Sequence, residues 1–192
     1  MYYYGYNYST SYVIGYLLVF IGFIITVGAQ VLVSSNYSKY KKIKSSNGIR
    51  GSEVARKILD ENGLGHVKVV SVRGKLTDHY DPREKVVRLS NDIYNGDSIA
   101  SVAVASHECG HAIQDKEGYR FLRIRSGIIP LVNICDRLGY FVIFLRLILG
   151  YFNLAIFGFI LLCSILVFQL VTLPVEFNAS KRAKVEIDKL NL

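Results

Sequence analysis

Two histidines four residues apart, with an acidic residue beside the first, are the residues of this chain best suited to chemistry. They are His107 and His111, and Glu108 completes an H-E-x-x-H sequence. Residues four apart lie one above the other on an α-helix, so both imidazoles can converge on one ion. Zn²⁺ accepts imidazole nitrogens and, in a catalytic centre, keeps three protein ligands and a water. The spacing therefore predicts a site for one zinc ion, with Glu108 beside the water rather than on the metal.

Glu108 in this position would act as the general base. Zinc lowers the pKa of its water to about 7, so a neighbouring carboxylate can take the proton and later pass it to a leaving amine. This is peptide-bond hydrolysis by zinc-activated water. The alternative is a pair of solvated histidines on a helix surface. It is disfavoured because the small and β-branched residues at 99–105 would bury the helix and leave its histidine end at a cleft.

The third protein ligand must come from another part of the chain. Glu176 stands out because it is the first charged residue after the uncharged stretch from Leu147 to Val175. An ionised carboxylate at a membrane boundary is costly unless a partner neutralises it, and zinc would do so. Glu176 could instead be an acid at a helix N-terminus or an ion-pair partner of a nearby base. Those bases are Lys181 and Arg182, and the other candidate ligands are His66, His79, Asp97, Asp136, Glu186 and Asp188.

Residues close to these ligands could orient them. If a new helix begins near Pro174, Ser180 or Asn178 could form a hydrogen bond to a ligand. Cys109 lies inside the motif, but adjacent residues on a helix point to different faces, which favours a small packed residue over a ligand. Asp136 and its neighbour Arg137 could line the site, and an ion contact at the membrane interface is the simpler interpretation.

The segment around the motif is predicted to be a soluble α+β unit. Ser52 can cap a helix from Glu53 to about Asn62, and Asp97 or Ser98 can cap the motif helix from about Ile99 to Lys116. Two strand candidates, Val67–Val72 and Lys85–Leu89, are separated by a polar turn region. The second strand could pair with an extended peptide at its edge, although an ordinary structural strand is the simpler interpretation.

Three long apolar segments predict membrane-spanning helices. Residues 1–38 contain no charged residue and no histidine, and about 20 apolar residues in a helix cross the hydrocarbon core. The second segment contains Asp136, Arg137 and Arg146, so part of it would be interfacial or face protein. The predicted division is a tyrosine-rich tail at 1–11, transmembrane helices at 12–35, 127–149 and 151–173, a zinc peptidase segment at 36–126, and a helix with the third ligand at 174–192.

Charge predicts how these segments are oriented. The net charge is +8, and basic residues cluster after the first and third apolar segments. By the positive-inside rule, the N-terminus lies outside and the catalytic segment lies on the cytosolic side. This clustering favours contact with anionic lipid headgroups over nucleic acid. A signal peptide cleaved after Ala29 would instead give a secreted protease, but the segment lacks a positive n-region. Three cysteines, one of them in an apolar run, imply no disulfide framework.

Two stretches carry a resemblance to a known family. The stretches His107–Gln114 and Thr172–Ala183 resemble those of the bacterial YugP-type membrane zinc metallopeptidases, which are gluzincin-like and follow a logic distantly similar to that of the HtpX-like membrane gluzincins. The resemblance implies zinc ligation by His107, His111 and Glu176, with Glu108 catalytic. Gluzincins often carry aspartate four residues after the ligand glutamate, whereas this chain has Ser180.

The sequence therefore predicts a mainly α membrane protein with three transmembrane helices and a small cytosolic α+β zincin-like segment. Its expected function is that of a multi-pass metalloendopeptidase of the cell membrane that contains one Zn²⁺ and acts on peptides or membrane proteins. The alternative is a catalytically inactive zinc-binding scaffold or adaptor. Retention of Glu108 favours the enzyme, because a purely structural zinc site needs no base beside the metal.

Overall fold

A computed structural model describes residues 10–192, in which six helices flank a three-stranded sheet. Of the tyrosine-rich tail predicted at 1–11, residues 1–9 lie outside the described residues. The elements are α1 (Thr10–Tyr40), α2 (Gly51–Glu61), β1 (Lys68–Val72), β2 (His79–Asp81), β3 (Val86–Ser90), α3 (Asn91–Tyr94), α4 (Ile99–Lys116), α5 (Arg120–Leu149) and α6 (Phe152–Leu190).

Within residues 10–192, three helices are long and apolar enough to cross a membrane: α1, α5 and α6. At most 11% of each apolar window is buried, and in α1 none of the window is buried. A helix that is apolar on all sides and unburied by protein suits a lipid environment. The chain is thus a mostly helical protein with three candidate membrane helices, as predicted, while the direction in which each helix crosses stays a prediction.

Helices α5 and α6 form a tightly packed hairpin. The turn between them is at Gly150, which has a φ of 72° and ends α5 in the left-handed conformation that glycine adopts without strain. The two helices approach closely at Gly139 and Gly158, where a Cβ on either residue would lie 3.0–3.1 Å from the carbonyl oxygen of the other. Small residues allow such close approach between membrane helices. The hairpin fixes the start of α5 relative to the second half of α6.

The sheet has the order β1-β3-β2, with β3 parallel to β1 and antiparallel to β2. Strand β2 corrects the sequence analysis, which placed only a polar turn region there. Its three residues, His79, Tyr80 and Asp81, show no apolar alternation, so their pairing with β3 is set by the surrounding fold. Because β3 lies in the centre of the sheet, the suggestion that Lys85–Leu89 offers a peptide-binding edge is wrong. The free edges belong to β1 and β2.

The hydrophobic core lies between the sheet and helices α2 and α4. Cys109 is one of its fully buried members, and its thiol lies 3.6 Å from the carbonyl oxygen of Ala55. The prediction that Cys109 is a small packed residue is therefore confirmed. Other core residues are Val54, Ile58, Leu59, Val67, Val87, Leu89, Ile93, Val102, Ala105 and Ala112.

Helix α4, which carries the motif, begins where the sequence analysis expected. Ser98 is the capping residue rather than Asp97, and its hydroxyl accepts a hydrogen bond from the Ser101 amide at 3.2 Å. Helix α2 begins at Gly51, so Ser52 lies inside the helix and does not cap it. A Cβ at Gly51 would collide with the carbonyl group of Ile93, so glycine is needed for the helix to begin there.

Helix α6 runs without a break through Pro174, which contradicts the expectation that a new helix begins there. Proline inside a helix removes one hydrogen bond and costs about 3 kcal/mol. The polar half of α6 compensates by packing on α4 along a stripe of buried residues at helical spacing, Val175, Ala179 and Ala183. A continuous helix therefore connects the third apolar segment to Glu176.

Candidate metal centre

The centre is built where α4 and α6 cross. Gly110 of the motif faces Ala179, and a Cβ on Gly110 would lie only 2.5 Å from the carbonyl oxygen of Ala179. Ala179 is fully buried at this crossing. Only glycine lets the two backbones come so close, and this contact brings Glu176, one turn before Ala179, over the two histidines of α4.

The structure brings together the three residues that were predicted to bind zinc. The carboxylate oxygen Oε2 of Glu176 lies 3.1 Å from Nε2 of His107 and 3.5 Å from Nε2 of His111. Among the residues described, these three form the one group of histidine, cysteine or acidic side chains that could hold a metal ion, with candidate ligand atoms all within 4.8 Å of one another.

The separations between Glu176 and the two histidines fit a zinc ion. Tetrahedral coordination with bonds of 2.0–2.1 Å places neighbouring ligand atoms about 3.4 Å apart, close to the two measured separations. Two imidazole nitrogens and one carboxylate oxygen also form a donor set that zinc uses in catalytic sites, leaving a fourth position for water or substrate. The arrangement is therefore suitable for one zinc ion.

His111 is oriented by Gln114, which lies one turn further along α4. Nδ1 of His111 lies 3.0 Å from the side-chain oxygen of Gln114. The amide nitrogen of Gln114 donates to the carbonyl oxygen of Val175 at 2.8 Å and to Asn178 at 2.9 Å. Because both amide hydrogens are used, the oxygen of Gln114 accepts the proton of Nδ1, and Nε2 of His111 keeps its lone pair for a metal.

His107 is oriented from α6. Its Nδ1 lies 3.2 Å from the hydroxyl of Ser180, which leaves Nε2 facing Glu176. Ser180 therefore contacts a candidate ligand at the position where gluzincins often have aspartate. Asn178, the other residue considered for this role, contacts no candidate ligand directly; it acts through Gln114 and accepts a hydrogen bond from Arg182 at 2.7 Å.

The candidate ligands shift the pKa values of one another. The hydrogen bond to Glu176 raises the pKa of His107, although burial opposes this shift. Glu176 follows the uncharged part of α6, and the neighbouring imidazoles of His107 and then His111 hold the pKa of its carboxyl group well below the usual range. The carboxylate therefore stays ionised at neutral pH and can serve as an anionic ligand.

Glu108 lies beside the candidate ligands without joining them. Only 8% of the residue is exposed, and burial raises the pKa of its carboxyl group, while the nearby imidazoles of His111 and His107 oppose this shift. A buried carboxylate with a raised pKa is a stronger base than an exposed one, which is the property a general base needs.

A cavity of about 550 Å³ opens onto these residues. Strand β2 and the loop after it form one wall, and the first turns of α5 form the other, with Leu122, Arg125, Ser126 and Ile129. The cavity thus lies between a sheet edge and the beginning of a candidate membrane helix.

The other candidate ligands lie elsewhere or have other partners. Asp97 pairs with Lys44 at 3.1 Å, and Glu186 accepts a hydrogen bond from Asn62 at 3.0 Å. Arg182, suggested as a partner of Glu176, instead pairs with Glu117 at 2.7 Å.

His79 lines the cavity but is not part of the metal-binding group, and Asp136 does not line the cavity. His66 and Asp188 are exposed and are also outside that group.

Two residues near the centre were missed by the sequence analysis. Gln114 lies three positions after His111 on the same helix, and that spacing could have revealed it. Arg125 lies 3.6 Å from the second oxygen of Glu176. Nothing in the sequence distinguishes Arg125 from the neighbouring basic residues before an apolar segment, which usually set membrane topology.

Comparisons with known proteins show the family to which this chain belongs. A family model described as "Putative neutral zinc metallopeptidase" matches residues 15–192, a range that includes the motif and Glu176. "Putative membrane protease YugP" of Bacillus subtilis (strain 168) is 51% identical over 156 residues, which are 81% of this chain and 69% of the relative. No solved structure matches the chain significantly.

Proposed function

Because the chain belongs to the family of putative neutral zinc metallopeptidases, we propose that it is a membrane-bound endopeptidase with one zinc ion held by His107, His111 and Glu176. The observation that carries the proposal is the convergence of both Nε2 atoms on one oxygen of Glu176, 3.1 and 3.5 Å away, at the wall of an open cavity. A structural zinc site would be closed by a fourth protein ligand, whereas this donor set leaves one position for water or substrate.

Zinc bound there would polarise the scissile carbonyl group and lower the pKa of water to about 7. Glu108 would transfer the proton of the attacking water. Glu108 takes the proton of the attacking water as the oxygen adds to the carbonyl carbon, and it returns that proton to the nitrogen as the C–N bond breaks. Burial raises the pKa of Glu108, and therefore its affinity for a proton, although the nearby imidazoles of His111 and His107 oppose this shift.

Strand β2 would align the substrate. One side of β2 pairs with β3, and the other side is a free edge that borders the cavity. A free edge can add an extended peptide through backbone hydrogen bonds, which accept many sequences. This fits an endopeptidase that cleaves peptides or extended segments of membrane proteins rather than folded domains.

The site would lie near the inner surface of the cell membrane. Lys39, Lys41, Lys42 and Lys44 follow the apolar part of α1, and basic residues also follow that of α6. The positive-inside rule therefore places the N-terminus outside and residues 36–126, the zincin-like catalytic segment, in the cytosol. The same basic residues would contact anionic lipid headgroups rather than nucleic acid.

The purified chain in detergent tests the proposal. The zinc content and the cleavage of casein and of a fluorogenic peptide library are measured for the wild type and for Glu108→Gln. We expect equal zinc content and a rate reduced roughly 10²–10⁴-fold in the variant, which keeps the ligands and loses the base. Equal zinc content with no cleavage by either protein would instead favour the zinc-binding scaffold.

A further inference from the structure

Arg125 is a cationic side chain that lines the cavity, and its guanidinium group has no hydrogen-bond partner among the described residues. Its Nη2 lies 3.6 Å from Oε1 of Glu176, which is too long for a hydrogen bond. Its Nε is buried and has no hydrogen-bond partner among the described residues. The guanidinium group nevertheless lines the cavity with Glu108 and the candidate metal ligands, and 29% of the side chain is exposed.

Metal binding alone does not explain this position. The two imidazoles contact Oε2 of Glu176, and Arg125 forms only a long ion pair with Oε1, at 3.6 Å. A guanidinium group close to a divalent cation also weakens metal binding by repulsion between like charges. A negatively charged oxygen that enters the cavity beside Arg125 would offset this repulsion, because it would interact favourably with both the guanidinium group and the metal ion.

We propose that Arg125 is a catalytic residue that binds a negatively charged oxygen of the substrate beside the metal site. This inference rests on the proposed peptidase function. In peptide hydrolysis, the electron pair of the C=O bond moves onto the carbonyl oxygen as the water oxygen adds to the carbon. The uncommitted donors of Arg125 stabilise that charge until the pair returns and the C–N bond breaks. An α-carboxylate at the end of a peptide is the other source of a negatively charged oxygen.

The fold holds Arg125 in place for this role. It lies in the second turn of α5, where Leu122 and Ser126 also line the cavity, and α5 is locked to α6 through Gly139 and Gly158. The same hairpin positions Glu176. The cation and the third candidate ligand are therefore fixed relative to each other without a direct hydrogen bond, and the guanidinium donors stay free for substrate.

Kinetics of Arg125→Gln, Arg125→Lys and the matched control Arg123→Gln test the proposal. Arg123 has the same charge on the same helix but is exposed and does not line the cavity. All variants should bind one zinc ion. For Arg125→Gln we expect kcat to fall roughly 10²–10³-fold with KM nearly unchanged, partial recovery in Arg125→Lys, and no change in Arg123→Gln.

The source of the negative charge is resolved with peptides that carry either a free or an amidated C-terminus. An equal loss on both peptides identifies the carbonyl oxygen of the scissile bond. A loss confined to the free acid, expressed in KM, identifies the terminal carboxylate. Normal kcat and KM of Arg125→Gln on both peptides would overturn the proposal.

A binding measurement separates this inference from the peptidase function itself. A phosphinic peptide, whose anionic oxygens mimic the tetrahedral intermediate, is titrated calorimetrically into zinc-loaded Glu108→Gln with and without Arg125→Gln. We expect Arg125→Gln to weaken binding at least tenfold and Arg125→Lys to weaken it less. If the wild type cleaves no substrate, the peptidase proposal fails, while this titration still decides whether Arg125 receives an anion; equal affinities would show that it does not.

Discussion

Nδ1 of His111 lies 3.0 Å from the side-chain oxygen of Gln114, in an interior where Gln114 is fully buried and His111 is 7% exposed. The same glutamine donates both of its amide hydrogens to α6, at Val175 and Asn178. One side chain therefore orients a candidate ligand and attaches the helix that carries Glu176. The orientation of the centre and the docking of α6 are coupled through Gln114.

Replacing Gln114 with leucine should weaken zinc binding. The substitution leaves Nδ1 of His111 without a partner, and loss of such an outer partner typically costs about 10–100-fold in metal affinity. It also removes the two hydrogen bonds that attach Gln114 to Val175 and Asn178 of α6, each worth about 0.5–1.5 kcal/mol of stability. Competition with a chromophoric chelator measures the zinc affinity, and thermal unfolding in detergent measures the stability.

Asn178→Ala is the matched control for Gln114. It removes one hydrogen-bond partner of Gln114 and leaves the contact with His111 intact. We therefore expect a smaller loss of zinc affinity than in Gln114→Leu. An equal loss in both variants would mean that the attachment of α6, and not the orientation of His111, determines metal binding.

Replacing Gly110 with alanine should damage the centre although alanine favours helices. Helix propensity alone predicts a gain of about 1 kcal/mol. A Cβ at this position, however, would lie 2.5 Å from the carbonyl oxygen of Ala179 and would push α6 away from α4. Overpacking typically costs about 1–3 kcal/mol, and the shift moves Glu176 away from the histidines. We expect lower stability and weaker zinc binding, measured by unfolding and chelator competition.

Gly22→Ala is the control for this prediction. Gly22 lies inside α1 and has nothing within 4 Å of its Cβ position. The same substitution should therefore leave zinc binding unchanged there. If Gly110→Ala behaved like Gly22→Ala, the close contact between α4 and α6 would not be what positions Glu176.

The parts of this fold that could be predicted from the sequence are those determined by local patterns. The motif helix follows from H-E-x-x-H spacing, a serine cap at Ser98 and a glycine stop at Gly118, whose φ is 67°. Long uncharged segments predict the apolar helices in the same way. Glu176 could be identified as a candidate ligand because a single carboxylate after a long apolar stretch needs a partner.

The parts that could not be predicted depend on contacts between distant segments. Strand β2 has no apolar alternation and exists because β3 pairs with it. The continuity of α6 through Pro174 depends on packing against α4, which local rules for proline do not include. Arg125 resembles a topology signal in the sequence, and only the folded hairpin places it 3.6 Å from Glu176.

Replacing Glu176 with glutamine should reduce zinc affinity more than any change in the surrounding residues. The substitution keeps the shape of the side chain and removes the anionic oxygen that faces both imidazoles. The loss should exceed the roughly 10–100-fold typical of an outer partner. Glu186→Gln is the control, because Glu186 lies on the same helix and pairs with Asn62 away from the centre. Metal analysis after dialysis should show zinc depleted only in Glu176→Gln; full occupancy would reassign the third ligand.

Zinc affinity should fall as the pH is lowered, because protons compete for the imidazole nitrogens. The hydrogen bond to Glu176 raises the pKa of His107, so this histidine retains its proton to a higher pH than an ordinary one. Above this raised pKa the imidazole of His107 is neutral, and the affinity should reach a plateau. Below it, zinc must displace the proton, so the apparent affinity should decline and binding should release protons. The decline should begin at a higher pH than expected for a free histidine.

Calorimetry in buffers of different ionisation enthalpy measures the protons released. Glu176→Gln removes the cause of the shift, so the residual pH dependence of its weaker binding should move to lower pH. An affinity that is constant across the range in which histidine titrates would exclude imidazole coordination at this centre.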